Sequence, residues 1–188
     1  FELLEQYHEG LIALSACLAG EIPRALSAND YDGAKAAAER YEQIFGKGNF
    51  FLELQDHGLR EQKLINPQII QISRETGIPL VATNDCHYIS REDTQMHKIL
   101  LCIQTNHTIE DKDGMEFGSD QFYYKSEEKM RELFPECPEA FDNTVKIADR
   151  CQVEFEFGHT KLPHFDTPNG QDNTEYFRDQ CFAGLHRH

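Results

Sequence analysis

Two spacings of apolar residues alternate through the first half of the chain. Short, nearly continuous apolar runs occur in GLIALSACL (10–18), FFLEL (50–54) and IPLVATND (78–85), and helical spacings fill the intervals between them. Runs of that length fit parallel strands covered on both faces. In the first run the strand is expected over Leu11–Leu14. Asn29, Asp30 and Asp32 then offer N-caps for the Ala-rich helix YDGAKAAAERYEQIFG, which Gly46 stops. A second helix is expected over Arg60–Thr76, interrupted or kinked near Pro67 and ended by Gly77. Strand, helix, strand, helix, strand is the βαβ signature. Closing a parallel barrel ordinarily takes about eight strands. The pattern therefore predicts an α/β fold that is either a small open sheet or part of a larger barrel.

The second half changes character near residues 90–95. Asp93–Gln104 reads as an amphipathic helix, 109–120 as an acidic loop and QFYY as a short strand. SEEKMRELF (126–134) starts at a Ser126 cap with acids in its first turn, and PEAFDNTVKIADRC (138–151) is a helix with Pro138 at its first position. VEFEF (153–157) alternates with period two, 160–173 is a connector rich in Pro, Gly and Asp, and Thr174–His188 is helical. The expected organisation is an α/β part over 1–92 and a mainly helical extension over 93–188. FELLEQY at the start reads as a helix already under way, and both ends suggest a piece of something longer.

Charge narrows the partners. The 188 residues hold 33 acids against 18 bases, a formal net charge of -15, and neither half has a basic excess. A surface that grips nucleic acid must neutralise phosphates with Lys and Arg, so this segment is not a DNA-gripping face. An anionic membrane surface is disfavoured for the same reason. No apolar run approaches the roughly 18 residues of a membrane span, and no secretory signal is present. Six cysteines at wide, irregular spacing form no CxxC pair. They read as reduced, cytoplasmic thiols, mostly buried as small hydrophobes.

Candidate chemistry gathers where the apolar runs end. ATNDCHY (82–88) closes the third strand, and residues two apart on a strand share a face. Asp85 and His87 would project together if the extended backbone continues through them. The carboxyl ends of parallel strands are where α/β folds place their sites, and an oxygen plus an imidazole nitrogen suits Zn, Mn or Fe. Cys17, three residues after the first strand, could share that rim. Glu53 and His57, in LELQDHG, follow the second strand; a strand carboxylate among apolar neighbours needs a partner, and Glu53, whether supporting a metal ligand, in a salt bridge or on the rim, reads as structural. His186 and His188 sit in a helical pattern, where i and i+2 do not share a face, and are set aside. His159 and His164 read as solvated.

These residues, taken in order, carry a resemblance. EGLIALSACLAGEIPRAL, FFLELQDHG and GIPLVATNDCHYISREDTQMHKILLCIQT, continuing through SDQFYYKSEEKMRELFPECPEAFDNTVKIADRC and TKLPHFDTPNG, closely resemble the bacterial replicative DNA polymerase III alpha subunits. The similar stretch is their amino-terminal PHP (polymerase and histidinol phosphatase) domain and the connection toward the palm. The resemblance implies the C-terminal part of a distorted (βα)7 barrel followed by a mainly helical extension. It implies a metal cluster of Zn or Mn at the strand ends and maps ligands onto Cys17, Asp85 and His87. The family's leading His-x-His and the ligands after it lie before the similar stretch, and the palm carboxylates lie beyond it. The activity implied by resemblance is metal-assisted phosphodiester hydrolysis of the 3′–5′ exonuclease kind, with Mg-dependent nucleotide addition elsewhere in the parent.

The implied partners are the rest of the alpha subunit, other replicase subunits, and DNA through parts outside this acidic segment. The segment alone is expected to lack polymerase activity, to be weak or inactive as a nuclease, and to self-associate or be marginally stable through an apolar edge. Two alternatives stand beside this: a non-catalytic scaffold that stabilises the polymerase or docks a subunit, and a freestanding phosphoesterase of the PHP type.

Overall fold

A computed structural model of the chain describes residues 1–111, 117–168, 170–185 and 187. Its contacts form two units, Phe1–Cys151 and Gln152–His188. In the first, three parallel strands lie in the order β1 (Ala13–Leu14), β2 (Phe50–Leu54), β3 (Leu80–Ala82). Ala13 pairs with Phe50, and Leu52, Glu53 and Leu54 pair with Leu80, Val81 and Ala82. Every residue of β2 is buried, as its apolar run predicts for a strand covered on both faces. Two of the strands are shorter than their apolar runs. The chain leaves pairing after Leu14, and φ is positive at Ala16; β3 starts only after Pro79, which has no N–H to give a ladder.

The crossovers are helical. Short α1 (Glu2–Tyr7) precedes β1, and α2 (Glu21–Ser27) and α3 (Tyr31–Phe45) connect β1 to β2. The helix α2 was not expected from the sequence pattern; EIPRALS holds only two turns of signal and buries Ile22, Pro23 and Leu26. On α3, Ala34, Ala37 and Ala38 form the buried face against α2, and small side chains allow that close approach. Asp30 caps α3, accepting from the Gly33 N–H at 2.9 Å. Asp30→Ala is expected to cost about 1 kcal/mol, read as a lowered urea midpoint; an unchanged midpoint would show the cap to be idle.

Between β2 and β3, α4 (Arg60–Thr76) runs unbroken through Pro67. Pro67 is exposed, so water can take the carbonyl that its missing N–H leaves unpaired. Gly77 ends the helix in the left-handed region at φ 79°, donating to the Ser73 carbonyl at 2.8 Å. Ile65, Ile69 and Ile72 of α4 pack with Leu52, Leu54 and Phe50 of the sheet. Each such side chain, fully buried, contributes about 1.5–3 kcal/mol.

After β3, a short 3₁₀ turn (Arg91–Asp93) leads into α5 (Thr94–Thr105), followed by α6 (Glu127–Leu133) and α7 (Glu139–Arg150). Helix α7 lies against β3, and the Asn143 amide donates to the Leu80 carbonyl at 2.8 Å, satisfying an edge of the sheet. QFYY does not form a strand; it reaches only an isolated parallel bridge, Tyr88 with Tyr123. The acidic loop 109–120 falls partly outside the described residues. The six cysteines are all free thiols, but only Cys102 and Cys137 are buried; Cys17 is half-buried and the other three are exposed, so the expectation of mostly buried thiols fails.

The second unit holds α8 (Asn173–Leu185), capped by Asp172, whose carboxylate accepts from the Thr174 N–H at 2.9 Å. Phe155 and Phe157 of the period-two stretch are exposed and form no strand. No helix among the described residues is long and apolar enough to cross a membrane.

Candidate functional site

The three strands deliver their carboxyl ends to one rim. Ser15, Gln55 and Thr83 come directly after β1, β2 and β3, and a buried polar cluster joins them through Glu53. The Ser15 hydroxyl accepts from the Glu53 N–H at 2.8 Å. One Glu53 carboxylate oxygen accepts from the Thr83 hydroxyl and from the Gln55 amide, the latter at 3.0 Å. Glu53 thus meets the need for a partner with neutral donors. Asn66 of α4 donates to the Gln55 carbonyl at 3.0 Å, so a helix is tied to the same cluster.

His57 stands at the centre of a second set of contacts. It is 1 % exposed. Its Nε2 lies 2.6 Å from the Asn84 carbonyl oxygen, which can only accept, so Nε2 carries the proton. Nδ1 then accepts from the Gln62 amide at 2.8 Å, while the Gln62 oxygen accepts the His57 N–H at 2.8 Å. The ring stacks on Phe122, with centroids 4.1 Å apart and planes at 8°. The Ser119 hydroxyl donates to the His57 carbonyl, and Lys125, itself buried, donates to the Asn84 side-chain oxygen at 3.2 Å. The segment 119–125 is therefore strapped over the β3 exit. His57 is thus a buried centre of hydrogen bonds, a role the sequence did not suggest. Glu53, Gln55 and His57 fall at i, i+2 and i+4, and that polar alternation was the available signal.

Burial holds the His57 pKa below its ordinary value, because the charged imidazolium would be desolvated and would turn a second N–H toward the Gln62 amide. Between the lowered folded pKa and the unfolded value near 6.5, the unfolded chain binds the proton and the folded chain does not. Stability is full above about pH 6.5 and falls as pH drops through that window, by about 1.4 kcal/mol for each unit of lowering. Urea midpoints at pH 7.5 and 5.0 should show the loss, and His57→Gln should remove part of it. An equal loss in the variant would assign the acid sensitivity to other groups.

Asp85 and His87 meet at the surface of this rim. Their Oδ1 and Nε2 atoms are 3.4 Å apart, and each side chain is about a third exposed. The route differs from the expected one. The strand ends at Ala82 and Asp85 takes φ 48°, so a turn rather than an extended backbone brings the pair together. The His87 N–H donates to the Phe122 carbonyl at 2.8 Å, fixing the turn to the strap. Two donors each about 2.0–2.1 Å from a tetrahedral Zn would be separated by about 3.3 Å, so the pair fits two corners of a metal site.

Cys17 is placed elsewhere on the rim. It lines a narrow cavity with Glu53, Gln55 and Gln62, into which no part of Asp85 or His87 enters. Among the described residues no three His, Cys, Asp or Glu side chains converge as a metal site. The structure therefore brings Asp85 and His87 together and does not gather Cys17 with them. His159 and His164 are exposed, as expected; His186 and His188 lie outside the described residues.

One feature of the site had no sequence signal. The His97 ring of α5 sits among His87, Tyr88 and Phe117, with centroids 5.5, 5.3 and 5.0 Å away. Burial, then the neighbouring His87, lowers the His97 pKa. These residues are up to 30 positions apart, and only the turn after β3 assembles them.

Similarity to known proteins agrees with this architecture. Residues 1–57, which hold β1, β2 and the helices between them, match the family described as PHP domain. Cys17 lies inside the matched stretch; Asp85 and His87 lie beyond it. Over nearly its whole length the chain corresponds to a segment of DNA polymerase III alpha subunits. It is 44 % identical to that of Treponema pallidum across 98 % of this chain, 41 % to that of Thermus aquaticus across 99 %, and 36 % to that of Mycobacterium tuberculosis across 99 %. The chain spans 16 % of the length of each of these relatives.

Proposed function

We propose that the chain is part of a replicative, DNA-directed DNA polymerase, in which it forms the last strands of a (βα)7 PHP barrel (1–92) and an extension toward the palm (93–188). In this reading Cys17, Asp85 and His87 contribute to a Zn or Mn cluster for phosphodiester hydrolysis at a DNA 3′ end, and nucleotide addition with Mg takes place outside this segment. The observation that carries it is the Asp85–His87 pair, 3.4 Å apart at the carboxyl rim of a parallel sheet. A bound metal would lower the pKa of a water and offset phosphate charge. This chain's residues supply the rest: Asp85 and His87 offer an oxygen and a nitrogen, and the Phe122 carbonyl and Asn84 hold the turn that presents them. Further donors come from the remainder of the barrel, and Cys17 joins them there.

The packing of α7 on β3 means that the first half of the extension is structurally part of the sheet unit. The contacts that grip DNA through its phosphates belong to other parts of a polymerase, since a net charge of -15 repels phosphate. Other replicase subunits are the expected protein partners, in the cytoplasm. A second reading is a scaffold without catalysis, for which a net charge of -15 suits a protein-facing surface. Metal analysis of the whole polymerase, purified without chelator, separates the two. Bound Zn or Mn that His87→Ala reduces supports hydrolysis; a metal-free protein indifferent to that substitution supports the scaffold.

A further inference from the structure

Beside the Asp85–His87 pair is a cavity of about 200 Å³ lined by Tyr88, His97, Phe117, Gln95, Leu101 and Ser119. It is smaller than the roughly 300–1,000 Å³ of pockets that enclose drug-sized ligands, so it suits one ring system rather than a larger molecule. Three of its walls are aromatic. Tyr88 is half-buried and tethered at both ends: its N–H and carbonyl bond to the 122–124 segment, and its hydroxyl accepts from the Phe122 N–H at 3.3 Å. Phe117 and His97 meet edge to face at 69°, so a planar guest can lie flat on one of them and meet the edge of the other. Gln95 adds an amide to the lining, while the Ser119 hydroxyl is taken up by the His57 carbonyl and the Gln121 N–H.

We infer that this cavity binds a nucleobase of single-stranded DNA, stacking it on one of the rings of Tyr88, His97 and Phe117 and packing its edge on the others, so that the attached phosphate emerges toward His87. Base stacking on aromatic side chains tolerates any base and is worth about 1–3 kcal/mol per base. It also gives an acidic segment a way to hold DNA that does not depend on phosphate charge. His97 links the two parts: its ring is 5.5 Å from that of His87. The inference deepens the hydrolytic reading and rests on it for the direction of the phosphate, but the base pocket itself needs no metal.

The test uses the 188-residue chain, EDTA and 2-aminopurine deoxyriboside 5′-monophosphate, whose fluorescence is quenched on stacking. Saturable quenching is expected, competed by dAMP and not by 2-deoxyribose 5-phosphate. Tyr88→Leu and His97→Leu should each weaken binding at least about 10-fold, while Tyr88→Phe, which keeps the ring, should stay within about 2-fold. Circular dichroism of each variant checks folding. Absent quenching, competition by the sugar phosphate alone, or equal binding by folded Tyr88→Leu and His97→Leu would overturn the inference; the last would mean stacking elsewhere, and the first a pocket for a protein side chain. Because chelator is present, failure here leaves the metal reading standing, and failure of metal binding in the whole polymerase leaves base binding standing.

Discussion

His57→Ala is expected to lower the unfolding free energy of the unit Phe1–Cys151 by about 3 kcal/mol, as large an effect as emptying a core position. The ring is 1 % exposed and both nitrogens are engaged, at 2.6 Å to the Asn84 carbonyl and 2.8 Å to the Gln62 amide. Truncation strands both partners in a buried site, and each unsatisfied group costs about 1–3 kcal/mol. Contact with the Phe122 ring is lost as well. Since Phe122 also receives the His87 N–H, loosening should spread to the Asp85–His87 turn. Urea denaturation of the 188-residue chain measures the first effect, and amide exchange at residues 84–88 and 119–125 the second. A loss under about 1 kcal/mol would show that water replaces the ring without penalty.

The second large effect concerns chemistry. In the whole polymerase, His87→Ala is expected to reduce metal-dependent hydrolysis of a single-stranded 3′ end about 100-fold or more, with DNA synthesis little changed. Partners of metal ligands already cost 10–100-fold when removed, and a ligand contributes directly. Asp85→Asn should act in the same direction with a smaller loss, because an amide oxygen still donates to a metal but carries no charge. The exposure of the pair, about a third for each side chain, argues against a folding defect as the cause, and thermal unfolding of the variants tests that. Equal hydrolysis in wild type and His87→Ala would place the chemistry elsewhere or nowhere in this segment.

Much of the scaffold was readable from local pattern. FFLEL is buried at every position, as its nearly continuous apolar run predicts for a strand covered on both faces. Asp30 and Ser126 cap the helices they precede, and Gly46 and Gly77 close α3 and α4, because caps and stops are decided within one helical turn. Strand length was not local: Leu11 and Ile78 lie in apolar runs but outside the strands, since pairing needs a partner in register. QFYY failed as a strand for the same reason.

The site divides along that line. Sequence alone determined the donor chemistry, an Asp and a His two apart after an apolar run. It also determined the acidic charge that keeps this segment from being a phosphate-gripping face. Tertiary structure decided which donors meet. A left-handed turn at Asp85 closes its carboxylate on His87 to 3.4 Å, Cys17 is directed to a different cavity, and His97 is brought from α5 into an aromatic wall. The physical reason is range. Caps and apolar faces are set by residues a few positions apart, whereas the rim is assembled by hydrogen bonds and ring contacts between segments tens of residues apart, whose energies exist only once the sheet has aligned its strand ends.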